Sequence, residues 1–327
     1  MSDAIAPKPS RRKVEGRVHP GLQNRNLVVL LPADVRRPEG SGPTGTILFP
    51  ESLVELIQQI DGKTDAIILL HAGRLNEFNV ELAAQIRNLP GRPVIAVLGS
   101  RDAMDRAVTL ARHLDVGHVL PEDCLDFPQE LECWIDWIGG SGPPSGLETH
   151  LKSATEMHRI SLKTKEDKPM AIGAVLDFVE KIRHEDPFQF DVRLILEEAL
   201  NNAIYHGFRD EEGGPKYSVR DTRGFDQGDE VEVRFGADSD SIAISIADNQ
   251  GRLRRDTILE KLERHLNVQG LLDESGRGLY LIHSLAGRVI FNLHRGKMTE
   301  ITVVFPLTSQ WWEDASRVRP ILIFENR

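Results

Sequence analysis

"EEALNNAIYHG", Glu197 to Gly207, decides how the second half of this chain folds. The run is built from helix formers, yet acids, asparagines and a histidine interrupt it. Residues four apart share a helix face, so Glu198, Asn202 and His206 form one polar stripe beside the apolar Ile195, Ala199 and Ala203. A solvated surface stripe is one reading, and a polar wall facing a ligand is the other. The spacing predicts a helix from about Phe190 to His206. Another is expected in "PMAIGAVLDFVEKIRH", with Ala171, Val175, Phe178, Val179 and Ile182 on one face. Upstream, "HRISLKTK" reads as a strand. Downstream, "EVEVRFGADSDSIAISIADNQG" alternates apolar and polar residues about a polar turn, which marks an antiparallel hairpin. "GRGLYLIHSLAG" opens a further helix, and "RVIFNLHRGKMTEITVVFPL" reads as a second hairpin. The polar segment "RDEEGGPKYSVRDTRGFDQGD" is expected as an exposed loop or hairpin. Helices grouped against an antiparallel sheet make an α+β sandwich.

Three later positions favour the ligand-facing reading of the stripe. Asp248 follows the strand "ISIAD", where a carboxylate can accept a hydrogen bond from an exocyclic amine. Gly276 and Gly278 precede a helix, so backbone N–H groups there can approach an anion, aided by the helix N-terminus. Thr299 lies on the last strand of the segment, where a hydroxyl can support the same ligand. The two glycines do not make a dinucleotide fingerprint, because they follow a polar stretch and the third glycine is missing. His206 fits a hydrogen-bonded structural histidine near the helix end better than a metal ligand.

In this order the elements resemble the GHKL ATP-binding fold of gyrases and histidine kinases, and above all the bacterial anti-sigma-factor serine/threonine kinases. "EEALNNAIYHGF" is similar to their N-box, "IADNQG" to their first glycine box and "SGRGLYLI" to their second. The resemblance covers about Leu147 to Leu307. It implies that ATP and Mg²⁺ are the cofactors, with Asn202 as an oxygen ligand to the metal and Glu198 as general base toward a serine hydroxyl. It further implies that Asp248 holds the adenine amino group with support from Thr299, that Gly251 belongs to the first glycine box, and that Gly276, Arg277 and Gly278 wrap the phosphates. One departure stands out: Gln250 occupies the glycine position of that box, and Gly251 comes one residue later. A side chain there would narrow the adenine pocket. Arg252, Arg254 and Arg255 fall in the short interval before Gly276, either meeting phosphates or a partner, or forming a solvated basic face.

Ahead of this segment, "NLVVLL", "GTILF", "DAIILL", "PVIAVL" and "GHVL" alternate with the helical stretches "ESLVELIQQI", "NVELAAQIRNL", "RDAMDRAVTLARHL" and "PQELECWIDWI". Apolar strands alternating with helices imply a parallel sheet covered on both faces. The pattern resembles a response-regulator receiver, a flavodoxin-like fold, but lacks its acids and its phosphoacceptor. The first strand runs into Leu31-Pro32-Ala33 with Asp34 late, the third ends at His71, the fourth at Gly99-Ser100 and the fifth at Leu120-Pro121. A degenerate receiver-like domain serving interaction or dimerisation is expected. The expected organisation is a disordered leader over 1–24, the receiver-like domain over 25–139, a linker over 140–146 within "GGSGPPSG", the ATPase or kinase domain over 147–308, and a C-terminal extension over 309–327.

Composition bounds the rest. A net charge of −10 over 327 residues argues against general nucleic-acid binding. Two cysteines without CxxC spacing provide neither a disulfide framework nor a zinc site. The leader has no apolar core of a secretory signal, and the apolar runs have strand length, so a cytoplasmic protein without a membrane span is expected. The resemblance implies a regulator that phosphorylates an antagonist protein in a partner-switching pathway, with a sigma factor and a homodimer as further partners. The alternative is a non-catalytic nucleotide-sensing module. A histidine kinase would need a histidine followed by an acid before the ATP domain, whereas His150 and His158 precede Leu151 and Arg159.

Overall fold

A computed structural model describes residues 26–31, 47–60, 66–77, 84–86, 88, 94–126, 128–139, 145–151, 156–218, 224–267, 277–307 and 319–326. The leader, most of the 25–46 segment, Gly276 and the paired Trp311 and Trp312 lie outside them.

The N-terminal part runs β1 (Asn26–Leu30), β2 (Ile47–Leu48), α1 (Leu53–Ile60), β3 (Ala66–His71), β4 (Val94–Gly99), α2 (Met104–His113), β5 (His118–Pro121) and α3 (Pro128–Gly139). Its strands pair in parallel in the order β2-β1-β3-β4-β5, the order of flavodoxin-like sheets. β3 is buried along its whole length, as strands covered on both faces must be. His71 ends β3 and is only 5% exposed. Its Nε2 lies 2.7 Å from Glu122 Oε2, and the Gly73 N–H donates to its Nδ1 at 2.9 Å. Both ring nitrogens therefore have partners inside the protein.

The C-terminal part runs β6 (Glu156–Leu162), α4 (Lys168–Glu180), α5 (Asp186–Asn201), β7 (Val231–Ala237), β8 (Ser241–Asp248), α6 (Arg255–Leu266), α7 (Arg277–Leu285), β9 (Arg288–His294), β10 (Met298–Pro306) and β11 (Ile321–Asn326). β7 with β8 and β9 with β10 are antiparallel hairpins, as the alternation predicted. β10 pairs with β8 and β6 with β7, both antiparallel. On α4, Ala171, Val175, Phe178 and Val179 face the core. Ile182 does not, at 37% exposed, because the helix ends at Glu180 and the apolar stripe ends with it. The polar segment after Phe208 is not merely an exposed loop. Tyr217 is 2% exposed, packs against Phe208 and Phe225, and donates its hydroxyl to Asp229 Oδ2 at 2.6 Å.

The two parts share one sheet, where two separate domains joined by a linker were expected. β11, from the C-terminal extension, enters between β5 and β9, antiparallel to the first and parallel to the second, and completes an 11-stranded order. The reason is general: β5 and β9 would each otherwise present a row of unpaired backbone groups, and "ILIFEN" satisfies both. The strand passes so close to Gly117 that any Cβ there would strike the Ile323 carbonyl, while the Ile323 N–H donates to the Gly117 carbonyl at 2.9 Å. His283 secures the approach to this strand, its Nε2 lying 3.1 Å from the Arg319 carbonyl. No helix among the described residues is long and apolar enough to cross a membrane.

Candidate nucleotide-binding site

α5 carries the opening motif, and the structure divides its repeated residues between two jobs. Glu197 and Asn201, four apart, grip Lys168 of α4; the Lys168 Nζ donates to Asn201 Oδ1 at 2.8 Å and forms an ion pair with Glu197. Glu198 and Asn202, one residue further on, belong to the neighbouring flank. After Asn201 the helix widens into a single π-helical turn over Asn202–Gly207, a feature that recurs at functional sites.

This turn forms one wall of a cavity of about 540 Å³, within the usual range for small-molecule sites. Ala199, Asn202, Ala203, His206 and Gly207 line it from the helix, facing Asp248 from the end of β8 and Thr299 from β10. Asp248 and Thr299 are cross-strand partners in the sheet. Asn202 brings an amide whose Nδ2 is buried without a hydrogen-bond partner, and the Thr299 hydroxyl is in the same condition. Buried polar atoms are seldom left so, and both belong to residues that line this cavity.

Asp248 is 5% exposed. Its Oδ1 accepts the N–H groups of Gln250 at 2.9 Å and Gly251 at 3.1 Å, closing the turn after β8. Burial raises its carboxyl pKa above the usual range, against the opposing pull of those two N–H groups and of the neighbouring Thr299. Thr299 lies near enough to influence the carboxylate without completing a well-formed hydrogen bond to it. Oδ2 sits beside Gly207, where a Cβ would come within 3.1 Å; glycine keeps that side of the acid open.

Gln250 does not narrow the cavity. Its side chain turns to Asp229, donating from Nε2 to Oδ1 at 3.2 Å, and it is absent from the cavity wall. Asp229 also holds Lys216 and Tyr217, so Gln250 belongs to the framework of the preceding loop. Gly251 is likewise off the wall and has a structural reason of its own. Its φ is +59°, and an added Cβ would meet the His294 carbonyl and come within 2.7 Å of the Lys297 and Met298 nitrogens in the β9–β10 turn.

Glu198 also stands off the cavity lining. Its carboxylate lies against Gly278 in the first turn of α7, where any side chain would collide with it. The acid therefore faces the N-terminal end of that helix, where negative charge is favoured. Arg277 is exposed at the start of α7, and Gly276 lies outside the described residues.

His206 departs from expectation. It is exposed, lines the cavity within the π-helical turn, and is not a hydrogen-bonded structural histidine. Its pKa is lowered by partial desolvation and then by the charges of Lys261 and Arg209. Those two cations join Arg252, which the sequence had singled out, and give one region of the wall a positive character. Thr257 and Lys261 stand four apart on α6, so their common face was readable in the sequence; Arg209 carried no periodic signal. Asp210 and Glu211 also line the cavity.

Residues 164–305 match the family model of the histidine kinase-like ATPase domain. The match begins just after β6, ends within β10, and spans less than half of the chain. A histidine kinase-like ATPase domain thus occupies this segment, and the cavity lies inside it. No curated protein matches the chain.

Proposed function

We propose that the protein is an ATP-dependent regulator that phosphorylates a serine or threonine of an antagonist protein in a partner-switching pathway. The observation that carries the nucleotide reading is the pairing, in one cavity, of a buried carboxylate with two buried polar groups that lack partners. Asp248 and Thr299 suit the amino edge of an adenine, and Lys261, Arg209 and Arg252 suit phosphate charge. Asn202 suits a hard cation through its side-chain oxygen. Among the described residues no group of three or more His, Cys, Asp or Glu could hold a metal, so a magnesium ion here would rest on Asn202 and the phosphates themselves. Bound Mg-ATP would supply a transferable phosphoryl group whose charge the metal neutralises. The chain's own contribution is to orient the base, screen the phosphates and keep a carboxylate near the acceptor.

Glu198 is the candidate for that carboxylate. Incubating the protein with radiolabelled ATP and candidate antagonist proteins tests the reading directly. Glu198→Ala is expected to slow transfer by about 10²–10⁴-fold while ATP binding survives. An unchanged rate removes Glu198 from the role. A second reading, nucleotide sensing without transfer, draws on one observation: Glu198 packs on Gly278 outside the cavity wall. ATP binding without label transfer to any antagonist supports this second reading.

A further inference from the structure

Among the described residues, α6 touches both the cavity and the N-terminal α/β unit. Thr257 and Lys261 on one flank line the cavity, continuing from Arg252 and Leu253. Ile258, Leu259 and Leu262 are buried in the core beneath. The remaining flank meets α2. Glu263 accepts hydrogen bonds from the Thr109 hydroxyl and from Arg112 Nη1, the latter at 2.8 Å. Glu260 and Asp256, one and two turns back, add to the negative field on the same Arg112. At its N-terminal end Arg255 forms an ion pair with Asp115, just after α2, and lies 3.6 Å from Glu325 on β11. The cavity wall is thus held from outside its own domain at two points along one helix, Arg255 and Glu263.

We propose that α6 couples the two parts of the chain: the N-terminal α/β unit, gripping α6 through Thr109, Arg112 and Asp115, holds Thr257 and Lys261 in place and so sets the affinity of the nucleotide site. This rests on the nucleotide reading above and adds its regulation. α6 cannot leave α2 without moving the cavity wall, because the two flanks belong to the same helix. Coupling of binding free energies is reciprocal, so a nucleotide that engages Lys261 also tightens the grip on α2. A partner that binds or displaces the N-terminal unit then changes nucleotide affinity without entering the cavity.

The test uses the full chain and a charge exchange. Mg-ADP affinity is measured by calorimetry for the wild type, Arg112→Glu, Glu263→Arg and the double exchange. Each single reversal sets like charges against each other across the seam and is expected to weaken Mg-ADP about tenfold. The double exchange is expected to recover most of that loss. A second measurement needs no variant: saturating Mg-ADP should slow amide hydrogen exchange in residues 104–113 of the wild type. Singles that bind Mg-ADP as the wild type does overturn the coupling and leave the nucleotide reading standing. A loss that the double exchange does not recover, with no protection of 104–113, overturns it equally. A wild type that binds no Mg-ADP overturns the nucleotide reading itself, and the coupling with it.

Discussion

Asp248→Asn separates what this residue does for the fold from what it does for a ligand. The amide keeps an Oδ1 that can accept from Gln250 and Gly251, now at 2.9 and 3.1 Å, so the turn after β8 should persist. It also removes a carboxylate that burial disfavours, since the Asp248 pKa is raised chiefly by desolvation. Folding stability should therefore be unchanged or higher. Binding should move the other way. A hydrogen bond to a charged group is worth about 1.5–3 kcal/mol, and the new NH₂ can present a donor to the adenine amino donor. The expected result is a loss of Mg-ATP affinity of roughly 10–150-fold, with no fall in the melting temperature. Calorimetry at pH 7.5 with a parallel thermal melt reads both quantities. In the wild type, affinity should also decline as pH falls through the raised Asp248 pKa, because protonation removes the charge and puts a donor on the carboxyl; the Asn variant should lack that decline. Affinity within threefold of wild type would refute the assignment, as would a loss matched by a drop in stability.

Two further changes probe the surrounding framework. Gly251→Ala forces a side chain into a backbone conformation at φ +59° and against the nitrogens of Lys297 and Met298 at 2.7 Å. Urea unfolding should show a loss of about 2–4 kcal/mol, and a loss below roughly 0.5 kcal/mol would disprove the close approach. His283 is 6% exposed and its pKa is lowered to about 4, mainly by desolvation, against the Arg319 carbonyl that raises it. The folded pKa lies below the unfolded one near 6.5, so the unfolded chain takes up the proton first as pH falls. Stability from this group is whole above about pH 6.5 and decays toward pH 4, amounting to a loss on the order of 2 kcal/mol at pH 5. Comparing urea curves at pH 7.5 and 5.0, His283→Gln should lack this share of the pH dependence; equal slopes in the two proteins would contradict it.

Much of this architecture could be read along the chain. Period-two alternation gave both hairpins, from Val231 to Asp248 and from Arg288 to Pro306, because a strand's faces depend only on neighbouring residues. Spacing by four placed Asn202 on a polar helix flank, and the chain order of Asn202, Asp248, Gly278 and Thr299 suggested a common ligand. It put Glu198 and Asn202 on one stripe but could not say that Asn202 would line the cavity while Glu198 packs on Gly278, nor what Glu197 and Asn201 would do. That depended on Lys168 arriving from α4 to take one pair. Nor could it explain Gly251, which resembles a ligand-binding glycine in sequence but is required where the β9–β10 turn crosses it.

The sequence by itself determined the local elements and the candidate ligand groups, since periodicity and turn chemistry act over a few residues. Only the tertiary structure decided that the two halves share one sheet through Ile321–Asn326 and that α6 stands between the cavity and α2. Those outcomes depend on pairing across long sequence separations, where Arg112 meets Glu263 and Val119 meets Ile321. No local pattern encodes which distant backbone edge or charge will be left to satisfy, and that residue of unmet polar groups is what selects the partner.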